Sequence, residues 1–107
     1  MVQVPDTIKK TIQKYLRELK RNNIPVQRAI LFGSYARGNF HALSDIDLAL
    51  VSSIFKGDRI EDRAIIRAIT LSVSSEIEVV PFHPKDFNRR NPFAKEILQH
   101  GIEMQNE

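Results

Sequence analysis

The sequence predicts a mixed α+β domain: a small mixed sheet with helices packed on one face, its elements in the order α-β-α-β-α-β-α. Three observations predict it. Stretches with apolar residues at helical spacing alternate along the chain with short aliphatic runs. Gly33-Ser34 ends one such run, and an Asp-x-Asp pair, Asp45 and Asp47, opens the next. A third acidic residue, Glu78, stands early in a third run, Ile77-Glu78-Val79-Val80. For Ser34, at the end of one strand, to lie beside Asp45, at the beginning of the next, those two strands must run antiparallel. For Asp45 and Glu78 to meet, both being early in their strands, the second and third strands must run parallel, joined by a right-handed helical crossover.

The first helix follows Pro5, where Asp6 or Thr7 can cap it. Ile8, Ile12, Tyr15, Leu16 and Leu19 make one apolar stripe, and Asn22-Asn23 with Pro25 end the helix. Its other face carries Lys9, Lys10, Lys14, Arg17, Lys20 and Arg21. That face reads as a solvated surface with cations near the C-terminal dipole, or as a docking surface for nucleic acid or an acidic partner. Residues 26–32 are the first strand, nearly continuous in apolar residues from Ala29 onward. A short helix over 34–37 follows, then a polar loop over 39–44 in which His41 faces water or a bound nucleotide. Residues 45–51 are the second strand. After a turn over 52–57, Asp58 caps a helix that runs to Val73, with Ile60, Ala64, Ala68 and Leu71, and Ile65 and Ile69 alongside, as its apolar face. Residues 76–82 read as the third strand, limited by Pro81 and Pro84. A connection with Lys85, Arg89 and Arg90 leads to a last helix. Pro92 suits its first position, Phe93, Ile97 and Leu98 its apolar face, and Gly101 its C-cap before Ile102 and Met104.

At 107 residues the chain reads as one domain, 1–107, able to bury a real core but with no room for a second module. A net charge of +3 is basic but modest beside that of dedicated nucleic-acid binders and decides little; direct nucleic-acid binding is not expected. Cysteine is absent, which excludes disulfides and cysteine zinc sites and fits a reducing cytoplasm. No run approaches the roughly 18 apolar residues of a membrane span, and no signal-peptide core is seen at the start. The expected setting is cytoplasmic, with a homo-oligomer left open.

The chemistry concentrates between Leu31 and Val51. Successive strand residues point to opposite faces, so Asp45 and Asp47 project together while Ile46, Leu48 and Leu50 pack on the other side. Two carboxylates that close repel one another, and hard, oxygen-ligated Mg²⁺ is the usual answer. Gly33, lacking a Cβ, lets a ligand approach the backbone, and the N–H groups opening the helix at Ser34 face an anion. A phosphate seat beside a metal seat suits nucleotidyl or phosphoryl transfer. Gly-Ser and Ser-Asp taken singly are ordinary turn chemistry. Their spacing, between two strand-like runs and with a third carboxylate on a third, carries the reading.

Gly33-Ser34, Arg37-Gly38 and Ser44-Asp45-Ile46-Asp47-Leu48 together resemble the signature of the nucleotidyltransferase superfamily that includes DNA polymerase β. Within it the chain is most similar to the minimal nucleotidyltransferase (MNT) domains, over most of its length. The resemblance implies a polymerase β-like fold and ATP as substrate. It implies Mg²⁺, two ions, at Asp45, Asp47 and Glu78, and β/γ phosphates held by Gly33 and Ser34. Glu78, where the family more often has aspartate, would complete the second metal site and activate an acceptor hydroxyl. Arg37 either neutralises phosphate or braces its loop through a salt bridge. The resemblance also implies transfer of AMP to a protein hydroxyl, the chain being the antitoxin that adenylylates a HEPN-type helical RNase toxin. Three other readings stay open: a non-catalytic partner-binding antitoxin module, a nucleotidyltransferase acting on a small-molecule or nucleic-acid acceptor, and a nucleic-acid adaptor using the basic helix face.

Overall fold

The computed structural model describes residues 3–104. Their elements are α1 (Asp6–Arg21), β1 (Arg28–Phe32), α2 (Ser34–Arg37), β2 (Ile46–Val51), α3 (Arg59–Val73), β3 (Ile77–Phe82), α4 (Pro92–His100) and β4 (Ile102–Met104). The strands form one sheet in the order β3-β2-β1-β4. β1 and β2 are antiparallel with Phe32 opposite Asp47, and β2 and β3 are parallel with Asp47 beside Glu78. These are the strand directions expected for bringing Ser34 to Asp45 and Asp45 to Glu78. No helix among the described residues is long and apolar enough to cross a membrane.

β4 is an addition to the expected order. It pairs antiparallel with β1, Leu31 opposite Ile102 and Ala29 opposite Met104, and Arg28 Nη2 donates to Glu103 Oε1 at 2.7 Å across the pair. A strand of this length is too short to show a period-two pattern. Gly101 does cap α4, but in an extended conformation (φ −79°, ψ 164°) that feeds the chain straight into β4. A Cβ there would press on Ile30 Cγ2 and the Ile97 carbonyl, so close packing and not a left-handed turn selects glycine.

The helices also divide between the two faces of the sheet, where the sequence placed them on one. Ala29, Leu31, Ile46, Leu48, Leu50, Ile77 and Val79 pack with α1 and α3. Ile30, Ala49, Val51, Val80 and Phe82 pack with Phe87 and with Ala94 and Ile97 of α4. The reason lies in β2, buried at every position from Leu48 to Val51, which needs a cover on each side.

α1 buries the expected stripe and leaves all six of its basic residues exposed. Pro5 is its N-cap, with no side-chain cap, and Asp6 already lies in the first turn. α3 departs further. Asp58 caps it as expected, accepting from the N–H groups of Ile60 and Glu61. Its buried residues, however, are Asp62, Ile66 and Thr70, with Ile69 and Val73 packed against the core, while Ile60 is 84% and Leu71 57% exposed and Ala64, Ile65 and Ala68 also face solvent. Polar groups displaced the apolar face because each has a bond waiting inside. Asp62 accepts from the N–H groups of Lys56 and Gly57 at 2.9 and 3.0 Å, clamping the β2–α3 loop. Thr70 Oγ1 donates to the Ile66 carbonyl at 3.0 Å and meets the Tyr15 hydroxyl at 2.6 Å, tying α3 to α1. Burial pushes that tyrosine up to about 12.

Asp62→Ala is therefore expected to cost roughly 2–5 kcal/mol, because it strands two loop N–H groups that were bonded to a buried charge. The exposed Ile60→Ser should stay within about 0.5 kcal/mol. Urea unfolding of both variants checks the contrast. Equal effects would mean that the apolar face, not Asp62, anchors α3.

Candidate active site

β1 delivers the chain to Gly33, which turns it with φ +72° and ψ −149°, a combination open to glycine and strained for other residues. Ala36 and Arg37 N–H both donate to the Gly33 carbonyl at 3.1 Å, closing α2, and Gly38 (φ 83°) ends it. Tyr35 anchors the turn from below, buried and stacked on Phe40 with ring centroids 4.8 Å apart. The loop then folds back through Ser44, whose Oγ accepts from the His41 N–H at 2.8 Å and whose own N–H donates to the His41 carbonyl at 3.0 Å. This turn sets Asp45 just ahead of β2, one residue before the strand begins.

Phe32, Asp47 and Glu78 lie in register across β1, β2 and β3, on the face that α4 covers. Burial raises the Asp47 carboxyl above its usual range, and the charges of Asp45 and Glu78 raise it further. Two of the three carboxylates named from the sequence, Asp45 and Glu78, thus bear on the third, Asp47. Gly33 has a duty in this arrangement that the sequence did not reveal. A Cβ on it would overlap Asp47 Oδ2 and stand 3.0 Å from Asp47 Cγ, so the space left by the missing Cβ is taken by the Asp47 carboxylate itself.

Glu78 is exposed, with Oε1 3.3 Å from Nη2 of Arg63 on α3. Glu76, the other acidic residue of that run, is exposed and lies outside β3. Arg37 Nη2 donates to Glu96 Oε1 on α4 at 2.9 Å, the brace that its sequence context allowed. Phe32, Gly33, Arg37, Phe93, Glu96 and His100 line a cleft of about 250 Å³ between the start of α2 and α4. His41 is exposed and accepts from the Leu43 N–H at 3.2 Å. The sequence reading missed Arg63, Glu96 and Arg59, whose guanidinium carbon lies 5.0 Å from the Phe93 ring centroid and 5.8 Å from that of Phe82. The only sequence signal for the α3 pair was their spacing of one helical turn.

Among the described residues no three carboxylate or imidazole groups close around an ion as the side chains lie, Glu78 being turned to Arg63. The donor chemistry still suits a divalent cation. Asp45, Asp47 and Glu78 offer hard oxygens, and the opposed ionisation of Asp47 is what such a cation relieves.

Comparison with known proteins agrees with this fold. A structure described as a nucleotidyltransferase from Sulfolobus solfataricus superposes with a TM-score of 0.66 at 17% identity, covering 94% of this chain and 82% of the other. A toxin-antitoxin structure with AMP-PNP matches at TM-score 0.61 and 24% identity, covering 89% and 73%. A mutant of the toxin-antitoxin pair MntA-HpeT matches at 0.59 and 22%, also covering 89% and 73%. No curated protein sequence matches significantly. The polymerase β-like fold is the one these neighbours share. The profile of the nucleotidyltransferase domain matches residues 12–103, nearly the whole described chain and every residue of the candidate site, and the chain belongs to that family.

Proposed function

We propose that this nucleotidyltransferase uses ATP and Mg²⁺ to place AMP on a protein hydroxyl, as the antitoxin of a HEPN-type helical RNase toxin. The observation that carries the reading is the row of Asp47 and Glu78 across β2 and β3, with Asp45 at the strand entrance and the Gly33 turn beside them. Packing has no need of three mutually repelling carboxylates.

In this reading Asp45 and Asp47 would hold the metal ions, with Glu78 as the third carboxylate ligand. When bound, the ions would neutralise the negative charge that develops on the triphosphate during transfer. Backbone N–H groups at Gly33 and Ser34 hold the β/γ phosphates. Arg37, fixed to Glu96, braces α2 against α4 and so keeps that turn in place. Glu78 takes the proton of the acceptor hydroxyl as its oxygen bonds the α-phosphorus. The bond from that phosphorus to the bridging oxygen breaks, and pyrophosphate leaves. The loops here are short, and in this reading the helical partner supplies the rest of the acceptor site. Two neighbours support the assignment: one is a toxin-antitoxin structure with AMP-PNP, the other a toxin-antitoxin variant in which two aspartates two positions apart are replaced by glutamate, the spacing of Asp45 and Asp47.

The test is co-expression with the product of the adjacent reading frame, then intact-mass measurement. The partner is expected to gain one or more AMP units, and to gain none when Asp47 is changed to asparagine. ATP binding by calorimetry should be measurable with Mg²⁺ or Mn²⁺ and lost in EDTA. An unmodified partner whose toxicity is still suppressed by the Asp47→Asn variant would establish the blocking module instead.

A further inference from the structure

We infer that Arg63 is the positioning residue of Glu78: it reaches round the open edge of the sheet to hold the third carboxylate until a divalent cation claims it. This rests on the reading of Asp45, Asp47 and Glu78 as cation ligands.

β3 is the outermost strand on its side of the sheet. α3 packs on the face to which Ile77 and Val79 point, whereas Glu78 points, with Asp47, to the opposite face. Arg63 bridges the two faces. Its Nε donates to the Val79 carbonyl at 2.8 Å, and its Nη2 lies 3.3 Å from Glu78 Oε1. A strand edge leaves carbonyls in need of a donor, and the forked guanidinium can serve one of them while presenting a second nitrogen to a carboxylate. One turn earlier Arg59 also rounds the edge, its guanidinium over the Phe82 and Phe93 rings, which pins the start of α3 and with it the reach of Arg63.

The two bonds of Arg63 differ in permanence. The one to the backbone carbonyl is part-buried, whereas the ion pair joins side chains 46% and 54% exposed. Exposed ion pairs are weak and exchange readily. Arg63 thus stays tethered at Val79 while Glu78 can leave it. Before an ion arrives, the guanidinium draws Glu78 toward the sheet edge and away from Asp45 and Asp47, whose charges already oppose it. An ion entering between the aspartates competes with Arg63 for Glu78. Arg63 therefore lowers the affinity of the empty site for cations and fixes where Glu78 starts from. Lysine could pair with Glu78, but it lacks the second arm that holds Val79 at the same time.

Mn²⁺ titration of the full chain without nucleotide, by calorimetry, tests this on wild type, Arg63→Gln, Arg63→Lys, Glu78→Gln and the Arg63→Gln/Glu78→Gln double variant. Arg63→Gln is expected to bind Mn²⁺ about 3- to 10-fold more tightly, through release of the Glu78 carboxylate from its ion pair. Arg63→Lys, which keeps the charge, should stay within about twofold of wild type, and in the Glu78→Gln background Arg63→Gln should change affinity by less than about twofold. Unchanged or weaker Mn²⁺ binding in Arg63→Gln with a lowered melting temperature would reduce Arg63 to a seal on the sheet edge. A full gain that persists without the Glu78 carboxylate would mean that Arg63 acts through space and not through Glu78. If wild type binds no Mn²⁺, the reading of the carboxylates as ligands falls together with this inference. Binding indifferent to Arg63 overturns the inference alone.

Discussion

Replacing Asp47 by asparagine is expected to cut nucleotide transfer by at least about 10²–10³-fold, the usual scale for removing a principal electrostatic contact to the transition state. The melting temperature in metal-free buffer should stay equal to that of wild type or rise. The two effects have one origin. Burial, then Asp45 and Glu78, raise the Asp47 carboxyl above its usual range in the folded protein. Unfolding returns it to the ordinary carboxylate value. Between those two values the folded chain binds the more protons, so the stability contributed by Asp47 falls as pH rises. The penalty is absent below the unfolded pKa and fully present above the folded one. Asparagine carries no such charge. In EDTA, urea unfolding from about pH 4 to pH 7 should therefore show the variant gaining on wild type as pH increases, starting at the ordinary carboxylate range. Added Mg²⁺ should stabilise wild type and leave the variant nearly unmoved. A large loss of stability in Asp47→Asn would mark the residue as structural and remove the argument for a charged site.

Gly33→Val is expected to damage the same site from the opposite side. The backbone there has φ +72° and ψ −149°, which costs a β-branched residue of order 1–3 kcal/mol, and the added Cβ would overlap the Asp47 carboxylate. A total destabilisation of roughly 2–5 kcal/mol should accompany a loss of transfer comparable to that of Asp47→Asn. Ser34→Ala removes a single hydroxyl and should weaken nucleotide binding by about 1 kcal/mol. A double-mutant cycle separates strain from collision. Gly33→Ala should cost less in an Asp47→Ala background, where the collision is gone and only the backbone strain remains. Equal costs in both backgrounds would show that Asp47 does not need the space. A larger effect of Ser34→Ala than of Gly33→Val on nucleotide binding would give the phosphate to the hydroxyl.

Much of the site was legible because its signals are local or follow from strand direction. Gly33-Ser34 after one apolar run and Asp45-x-Asp47 at the start of another determined that β1 and β2 run antiparallel, and Glu78 early in its run determined that β3 runs parallel to β2. The same reasoning located the Asp58 cap and Pro92 at the start of α4. Each of these depends on a pattern a few residues long or on the two-residue period of a strand.

The tertiary structure alone decided the rest. Hydrophobicity along α3 pointed to Ile60, Ala64 and Leu71 as the buried face, but Asp62 and Thr70 face inward because the loop N–H groups and Tyr15 supply partners that no helical period encodes. α4 covers the second face because β2 is apolar on both sides, which a single strand cannot announce once its alternation is lost. Arg37 meets Glu96 59 residues away, and Arg63 meets the Val79 carbonyl 16 residues away. The sequence by itself determined the relative directions of β1, β2 and β3, and so that Asp47 and Glu78 stand side by side in the sheet. Only the packed chain determined that the space beside Gly33 belongs to Asp47 and that Glu78 rests on Arg63, because both depend on side chains brought together across strands and round the sheet edge, where spacing along the chain carries no information.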